Sequence, residues 1–409
     1  MDNMLVISTD MMQTVAIAIL VFYVGKFLRK KITFFEKFCV PAPVIGGFLF
    51  AIIHLILKAN GIATFEMDGT LKNPFMMVFF TTIGLSANLA TLKKGGKGFV
   101  IFLVISTVLV LGQNVIGSGL AKILGQDARL GLLCGSITMV GGHGTAGAWG
   151  PDFEAAGLVG GEVIGMAAAT FGVIMGSLIG GPIASMLIRS KKLTPSNEFI
   201  VEEDTSVVKE EPLTSADFLK ALAVIFVSIG LGVILKAFLK NHVTIPMAGP
   251  LNLPEFVTSM LFAAVYVNTL GKHESLKINL RANDILNDIG INVFLTMALM
   301  TLDLTQLKAV FGPMLIILFA QTIFMALYAI LINFNIMGRD YDAAVLTAGI
   351  CGFGMGATYN AIANMNSVTE KFGPSPKAYF ILPMVGAFAI DIINVIAITL
   401  FATFTGVAL

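Results

Sequence analysis

The residues able to do chemistry in this chain are few, and they gather in two places. Gly142, His143, Gly144 and Thr145 stand in the stretch CGSITMVGGHGTAGAW, residues 134–149. Gly354, Gly356, Ala357, Thr358 and Asn360 stand in TAGICGFGMGATYNAIAN, residues 347–364, about 212 positions later. Glycines let main-chain amides and carbonyls reach a ligand without a Cβ in the way. A half-helix beginning at such a tip directs N–H groups at an anion. Hydroxyls, side-chain amides and unwound carbonyls suit a hard cation such as sodium. Asp391, in AFAIDIINVIA, is the carboxylate deepest within an apolar run, with Asn394 three residues on along the same helix face. Asp391 could bind a substrate ammonium, ligate sodium, or pair with Arg339 or Lys308. Ser86 and Asn88 close one apolar run, Thr301 and Asp303 close its counterpart, and Asn364 follows the second glycine cluster; of these, Ser86, Asn88 and Asn364 join Asn394 as sodium candidates. Asn114, Gln321 and Glu162 are polar within spans or at an entrance, where helix–helix hydrogen bonding is the expected role.

Other chemistries find no support. There is no G-x-S-x-G nucleophile elbow and no H-E-x-x-H pair, which argues against an intramembrane enzyme built on His143 and Asp391. Cys39, Cys134 and Cys351 lie in or beside apolar runs at unrelated spacings, the pattern of buried thiols rather than of a zinc site or a disulfide framework. A net charge of +1 implies no nucleic-acid partner. No organic cofactor is expected.

What holds these residues is a membrane. Hydrophobic residues make up 56% and charged residues 12% of the 409, and the mean hydropathy is +0.88, well beyond a soluble domain. Aspartates, and no basic segment, precede the first apolar run, so no cleavable leader is expected. Runs long enough to span fall at about 10–27, 41–58, 74–91, 98–124 and 161–188, then at 216–238, 253–270, 285–302, 312–336 and 377–405. Each glycine-rich stretch comes between the fourth and fifth runs of its set. Lipid cannot satisfy a broken backbone, so these stretches must be buried or line a cavity, and their length suits hairpins that enter and return. The expected fold is an all-α polytopic membrane protein of about ten transmembrane spans, made of two inverted five-helix repeats, each with a re-entrant hairpin. The first repeat covers residues 1–188 with its hairpin at about 129–150, and a polar cytoplasmic linker covers 189–215. The second repeat covers 216–409 with its hairpin at about 342–365. Three short matches support the duplication: Gly142-His143-Gly144 with Gly354-Met355-Gly356, Gly125-Gln126-Asp127 with Gly338-Arg339-Asp340, and Leu89-Ala90-Thr91-Leu92-Lys93 with Leu304-Thr305-Gln306-Leu307-Lys308.

Charge sets the orientation. If both hairpins return to the side they entered, nineteen of the Lys and Arg residues fall on one side and seven on the other. The rich side is cytoplasmic, and both termini are then outside. Five spans per half, an odd number, turn the second half upside down, so the hairpins approach from opposite faces. That is an architecture of secondary transporters. A passive channel with hairpin filters is the rival, although channel filters usually need several identical subunits.

The motifs GGHGTAGAW, CGFGMGATYNAIANM, TIGLSANLATLKKGG, QTIFMALYAI, VTEKFGP and PMVGAFAIDIINV closely resemble those of the sodium/glutamate symporter family. The resemblance extends over nearly the whole chain outside the linker; Ile350 and Tyr359 depart from the family pattern. It implies sodium-coupled uptake of L-glutamate across a bacterial cytoplasmic membrane, by a homodimer in which a transport domain holding both hairpins slides against a scaffold. Entry of the glutamate anion against an interior-negative potential is opposed by ~2.3 kcal/mol per 100 mV, so at least one sodium ion, and two for potential-driven uptake, is expected per substrate.

Overall fold

A computed structural model describes residues 4–88, 96–195, 213–245, 249–250 and 253–404. Most of the linker and the match Leu89-Ala90-Thr91-Leu92-Lys93 lie outside the described residues. Helices stand at all ten expected positions. They are α1 (Met11–Lys31), α3 (Ala42–Ala59), α4 (Lys72–Leu85), α5 (Gly96–Ile123) and α9 (Gly161–Lys191), then α10 (Ser215–His242), α11 (Glu255–Asn268), α12 (Leu280–Met300), α13 (Phe311–Ile336) and a broken pair, α16 (Pro376–Met384) and α17 (Ile390–Phe404). A one-turn helix, α2 (Thr33–Lys37), links α1 to α3. Local signals explain the ends. Asp10 and Gln13 form a capping box at the start of α1, and Arg29, Lys30 and Lys31 complement its C-terminal dipole.

Among the described residues, six helices are both long and apolar enough to cross a membrane: α1, α3, α5, α9, α10 and α13. The others are short (α4 and α11), more polar (α12) or interrupted (α16–α17). The interruption is a wide π-helical turn over Val385–Ala389, and a similar turn occupies Ala329–Asn333 in α13. The all-helical expectation also needs correcting. Strand β1 (Leu5–Thr9) pairs in parallel with β2 (Ala63–Met67), Leu5 against Ala63 through Thr9 against Met67. The cause is positional: antiparallel α1 and α3 bring the segment entering α1 beside the segment leaving α3. A short antiparallel pair, β3 (Thr244–Ile245) and β4 (Gly249–Pro250), follows α10.

The helices sort into two groups by packing. In one, α4 and α12 form the centre; α3 packs on α1 and α12, and α11 packs on α10 and α4. With no hydrophobic drive between helices in lipid, close approach supplies the attraction. Gly25 and Gly46 allow it: a Cβ on either would fall 2.0–2.1 Å from a carbonyl oxygen of the facing helix. Asparagine amides lock α12 to α4, with Asn283 Nδ2 donating to the Thr82 carbonyl at 3.1 Å and Asn287 Nδ2 to Thr82 Oγ1 at 2.8 Å. The second group surrounds the glycine-rich segments. Its helix α9 packs against α13 and both hairpins, while α5 packs against α13 and α17. The partners correspond between halves: α3 on α12 mirrors α11 on α4, and α9 on α13 mirrors α17 on α5.

Candidate functional site at the hairpin tips

Both glycine-rich segments are helix–break–helix hairpins, longer than expected. The first runs through α6 (Ala128–Leu133), α7 (Ser136–Met139) and α8 (Gly142–Ala155). The second runs through α14 (Tyr341–Phe353) and α15 (Thr358–Phe372). Each opens in the same way. Gly125 and Gly338 take positive φ, and Asp127 and Asp340 cap the first arm by accepting from the amides of Arg129 and Ala343. These are the residues of the Gly125/Gly338 sequence match, now with one structural role. Asp127 also binds its own Arg129, which holds the carboxyl below the usual carboxylate range.

The tips meet. Gly142 has φ +59°, and a Cβ there would sit 2.6 Å from the Gly356 carbonyl oxygen. The broken backbones are satisfied by side chains from neighbouring helices, as membrane burial requires. Consecutive residues of α5 serve both hairpins. Gln113 Nε2 donates to the Gly354 carbonyl at 2.7 Å, and Asn114 Oδ1 accepts from the Ser136 amide at 3.0 Å. Gln321 Nε2 in turn donates to the Gln113 carbonyl at 2.7 Å. From α17, Asn394 Nδ2 donates to the Ser136 carbonyl at 3.1 Å.

In front of the tips lies a cavity of about 1060 Å³. The hairpins contribute Val140 to Thr145 from one side and Ala357, Thr358 and Tyr359 from the other. Asp391 and Gly386 close it from the last helix. The facing wall belongs to the first group of helices: Phe79, Phe80 and Ile83 of α4 with Ser86 just after it, and Asp284, Asn287, Asp288 and Ile291 of α12. Lys26, Arg29 and Lys30, from the end of α1, stand beside it with Cys39.

Thr358 Oγ1 donates to the Gly386 carbonyl at 2.9 Å, tying the second tip to the π turn before Asp391. His143 is buried and shares 2.9 Å with Thr170 Oγ1, whose own proton goes to the Met166 carbonyl. The imidazole must therefore donate through Nε2, leaving Nδ1 for a ligand. Neutral, Nδ1 accepts; only the imidazolium donates there to a carboxylate. Among the described residues no lysine or arginine is within ion-pair distance of Asp391. Of the three alternatives for Asp391, the pairing with Arg339 or Lys308 is not made: Arg339 lies in the turn before α14 and Lys308 in the turn after α12.

Of the substrate-side candidates, Gly142, His143, Gly144, Thr145, Ala357, Thr358 and Asp391 line the cavity. Gly354 and Gly356 lie behind the wall as backbone turns. Asn360 turns away, fully buried, with Nδ2 on the Val173 carbonyl at 3.0 Å. The four sodium candidates do not converge. Ser86 lines the cavity and accepts from Asn283 at 3.2 Å, while Asn88 is exposed beyond the end of α4. Asn364 pins α15 to the Gly176 carbonyl of α9 at 3.0 Å, and Asn394 meets Ser136. Asn360 and Asn364 are one turn apart, so they bind two carbonyls of one helix.

Sequence reasoning missed Lys26, Arg29, Asp284, Asp288 and Asn287, which looked like loop charges or span-end polarity. It also missed Gln113, whose signal was its place beside Asn114 in the middle of an apolar run. Glu162, expected to hydrogen-bond between helices, accepts from Lys72 Nζ at 2.9 and 3.2 Å. That ion pair joins α4 of the first group to α9 of the second.

Residues 7–374 match the family described as sodium/glutamate symporter. The sodium/glutamate symporter of Escherichia coli (strain K12) is 41% identical over 398 residues, 96% of this chain and 97% of that protein. That of Haemophilus influenzae is 42% identical over 388 residues, 93% and 94% of the two chains. These relatives are named as symporters, not as enzymes. A solved structure of the sodium proton antiporter MjNhaP1 from Methanocaldococcus jannaschii aligns over 98% of this chain and 99% of that one, at 15% identity and a TM-score of 0.43, too low to bear on fold or function.

Proposed function

We propose, from the premise that this chain belongs to the sodium/glutamate symporter family, that it is a secondary active transporter coupling sodium entry to L-glutamate uptake. The observation that carries the reading is the meeting of two hairpin tips and Asp391 in one cavity between two helix groups. Glutamate offers an ammonium and two carboxylates. Asp391 is the carboxylate for the ammonium, and the Gly142 tip and the amides opening α15 are the donors for the carboxylates, joined by His143 Nδ1 only when the imidazole is protonated. Sodium is cargo, held by neutral oxygens; the buried amide and hydroxyl oxygens around the hairpins are the right chemistry for it.

The architecture is read as two inverted five-helix repeats of about ten spans, supported by the reciprocal packing partners and the shared Gly–Asp entrance to each hairpin. The group α1, α3, α4, α10, α11 and α12 is the scaffold of a homodimer. The hairpin group is the body that moves, elevator-fashion, across the cytoplasmic membrane of a bacterium, with both termini outside. On that orientation the cavity opens beside Lys26, Arg29 and Lys30 to the cytoplasm, while Lys72–Glu162 closes the opposite side between scaffold and moving body.

The deciding experiment is uptake of labelled glutamate into proteoliposomes under an imposed sodium gradient, with aspartate, glutamine and citrate as competitors. Sodium-driven accumulation, with counterflow of labelled against unlabelled glutamate, is expected. Accumulation without sodium, citrate outcompeting glutamate, or leak without counterflow would reject the proposal. Voltage-clamped vesicles decide the stoichiometry: net inward charge per glutamate requires the second sodium.

A further inference from the structure

We infer that the break in the first hairpin is a sodium site whose side-chain ligands are Ser136 Oγ and Asn394 Oδ1; this rests on the sodium-coupled reading above. Ser136 and Asn394 are 0% and 1% exposed, and both oxygens lack a hydrogen-bond partner among the described residues. A buried acceptor without a donor is destabilising, so native proteins keep few of them, and each calls for an occupant. The two residues are neighbours, because Asn394 Nδ2 holds the Ser136 main-chain carbonyl at 3.1 Å.

The backbone beside them is lined with oxygen. A Cβ placed on Gly135, in the break between α6 and α7, would have three oxygens as its nearest neighbours: Asn114 Oδ1 at 2.8 Å, and the carbonyls of Gly131 and Gln113 at 3.1 and 3.2 Å. Only glycine leaves this face open. Hydroxyl, amide and carbonyl oxygens are hard ligands, and a neutral set favours a monovalent over a divalent ion. Asp391 stands one helical turn before Asn394 on the same helix and lines the cavity. The same hairpin turns at Gly142, where a Cβ would stand 2.6 Å from the Gly356 carbonyl oxygen. An ion fixing the break therefore stiffens the tip that receives the substrate, which ties the two cargoes together.

The test uses purified full-length protein without substrate. Trp149 is the single tryptophan of the chain, buried in α8 of this hairpin, and serves as the reporter. Sodium chloride is expected to change its fluorescence saturably and to raise the melting temperature, with potassium and choline chlorides doing neither. Ser136→Ala removes an oxygen that has no hydrogen-bond partner among the described residues, so it should fold as well as wild type. It is expected to raise the half-saturating sodium concentration at least tenfold, while Asn394→Asp, which keeps the oxygen, still binds. A Ser136→Ala titration matching wild type, equal responses to potassium (a water-filled polar cleft), or no sodium response by either readout would overturn the site. Sodium-driven uptake by the wild type is scored separately. If it holds while Ser136→Ala binds sodium normally, only the site falls; if it fails, the symport reading falls.

Discussion

Gly142 and Gly356 belong to opposite halves of the chain, yet a Cβ on the first would stand 2.6 Å from the carbonyl oxygen of the second. The contact is made by backbone alone, and Gly142 adds a positive φ of +59°. Gly142→Ala must therefore push the tips apart as well as strain its own backbone by about 1–2 kcal/mol. Glutamate uptake is expected to fall more than tenfold, with normal insertion and a melting temperature within a few degrees of wild type. Unimpaired uptake would show that the tips need not touch.

Asp391 faces the cavity with no cationic partner among the described residues. Asp391→Ala and Asp391→Asn are expected to abolish uptake, because either leaves the substrate ammonium without its counter-charge. Retained uptake with unchanged sodium dependence in Asp391→Asn would remove this carboxylate from the site.

Lys72 and Glu162 form a pair with only 19% and 16% of their side chains exposed, bridging the two helix groups. Glu162→Gln is expected to weaken the closed side by roughly 1.5–3 kcal/mol, the range of a charge-assisted hydrogen bond, and so to favour the alternative state. Cys39 reports the shift, since it lines the cavity while Cys134 and Cys351 are buried. Burial pushes its thiol up, with Arg29 pulling the other way, so labelling by an impermeant maleimide should accelerate as pH rises past the usual thiol range. At fixed pH, Glu162→Gln should label more slowly than wild type. The swap of Lys72→Glu with Glu162→Lys should restore the rate; if neither variant changes labelling, the pair is not a latch.

Gln113 carries the Gly354 carbonyl on its amide. Gln113→Leu leaves that carbonyl buried and unpaired, at a cost of about 1–3 kcal/mol. The melting temperature should drop, whereas Gln113→Asn, too short to reach, should drop it similarly. No change in either would mean that the second break finds another donor.

Ile350 and Tyr359, the two departures in the second motif, part company in the fold. Ile350 is fully buried in α14 and away from the cavity; Tyr359 is 45% exposed and lines it with Arg29. Substrate selectivity should therefore respond to Tyr359→Ala and not to Ile350→Val. A competition series of glutamate against aspartate and glutamine checks this, and equal selectivity in both variants would clear Tyr359.

The sequence by itself determined that the chain lies in a membrane, where its helices run, and that two glycine-rich segments must fold back under protein cover. Those follow from hydropathy and from the rule that lipid cannot satisfy a broken backbone. It also determined the family, through short motifs at fixed places. Only the tertiary structure decided which polar residues face the cavity. Asn360 and Asn364 carry the same amide as Asn287, but one turn of helix points them at carbonyls of α9 rather than at the cavity. The ion pair of Lys72 with Glu162, 90 residues apart, and the paired capping by Gln113 and Asn114 depend on which helices become neighbours. Side-chain direction is fixed by rotation about the helix axis, and packing against distant segments sets that rotation; a linear pattern of apolar residues leaves it open.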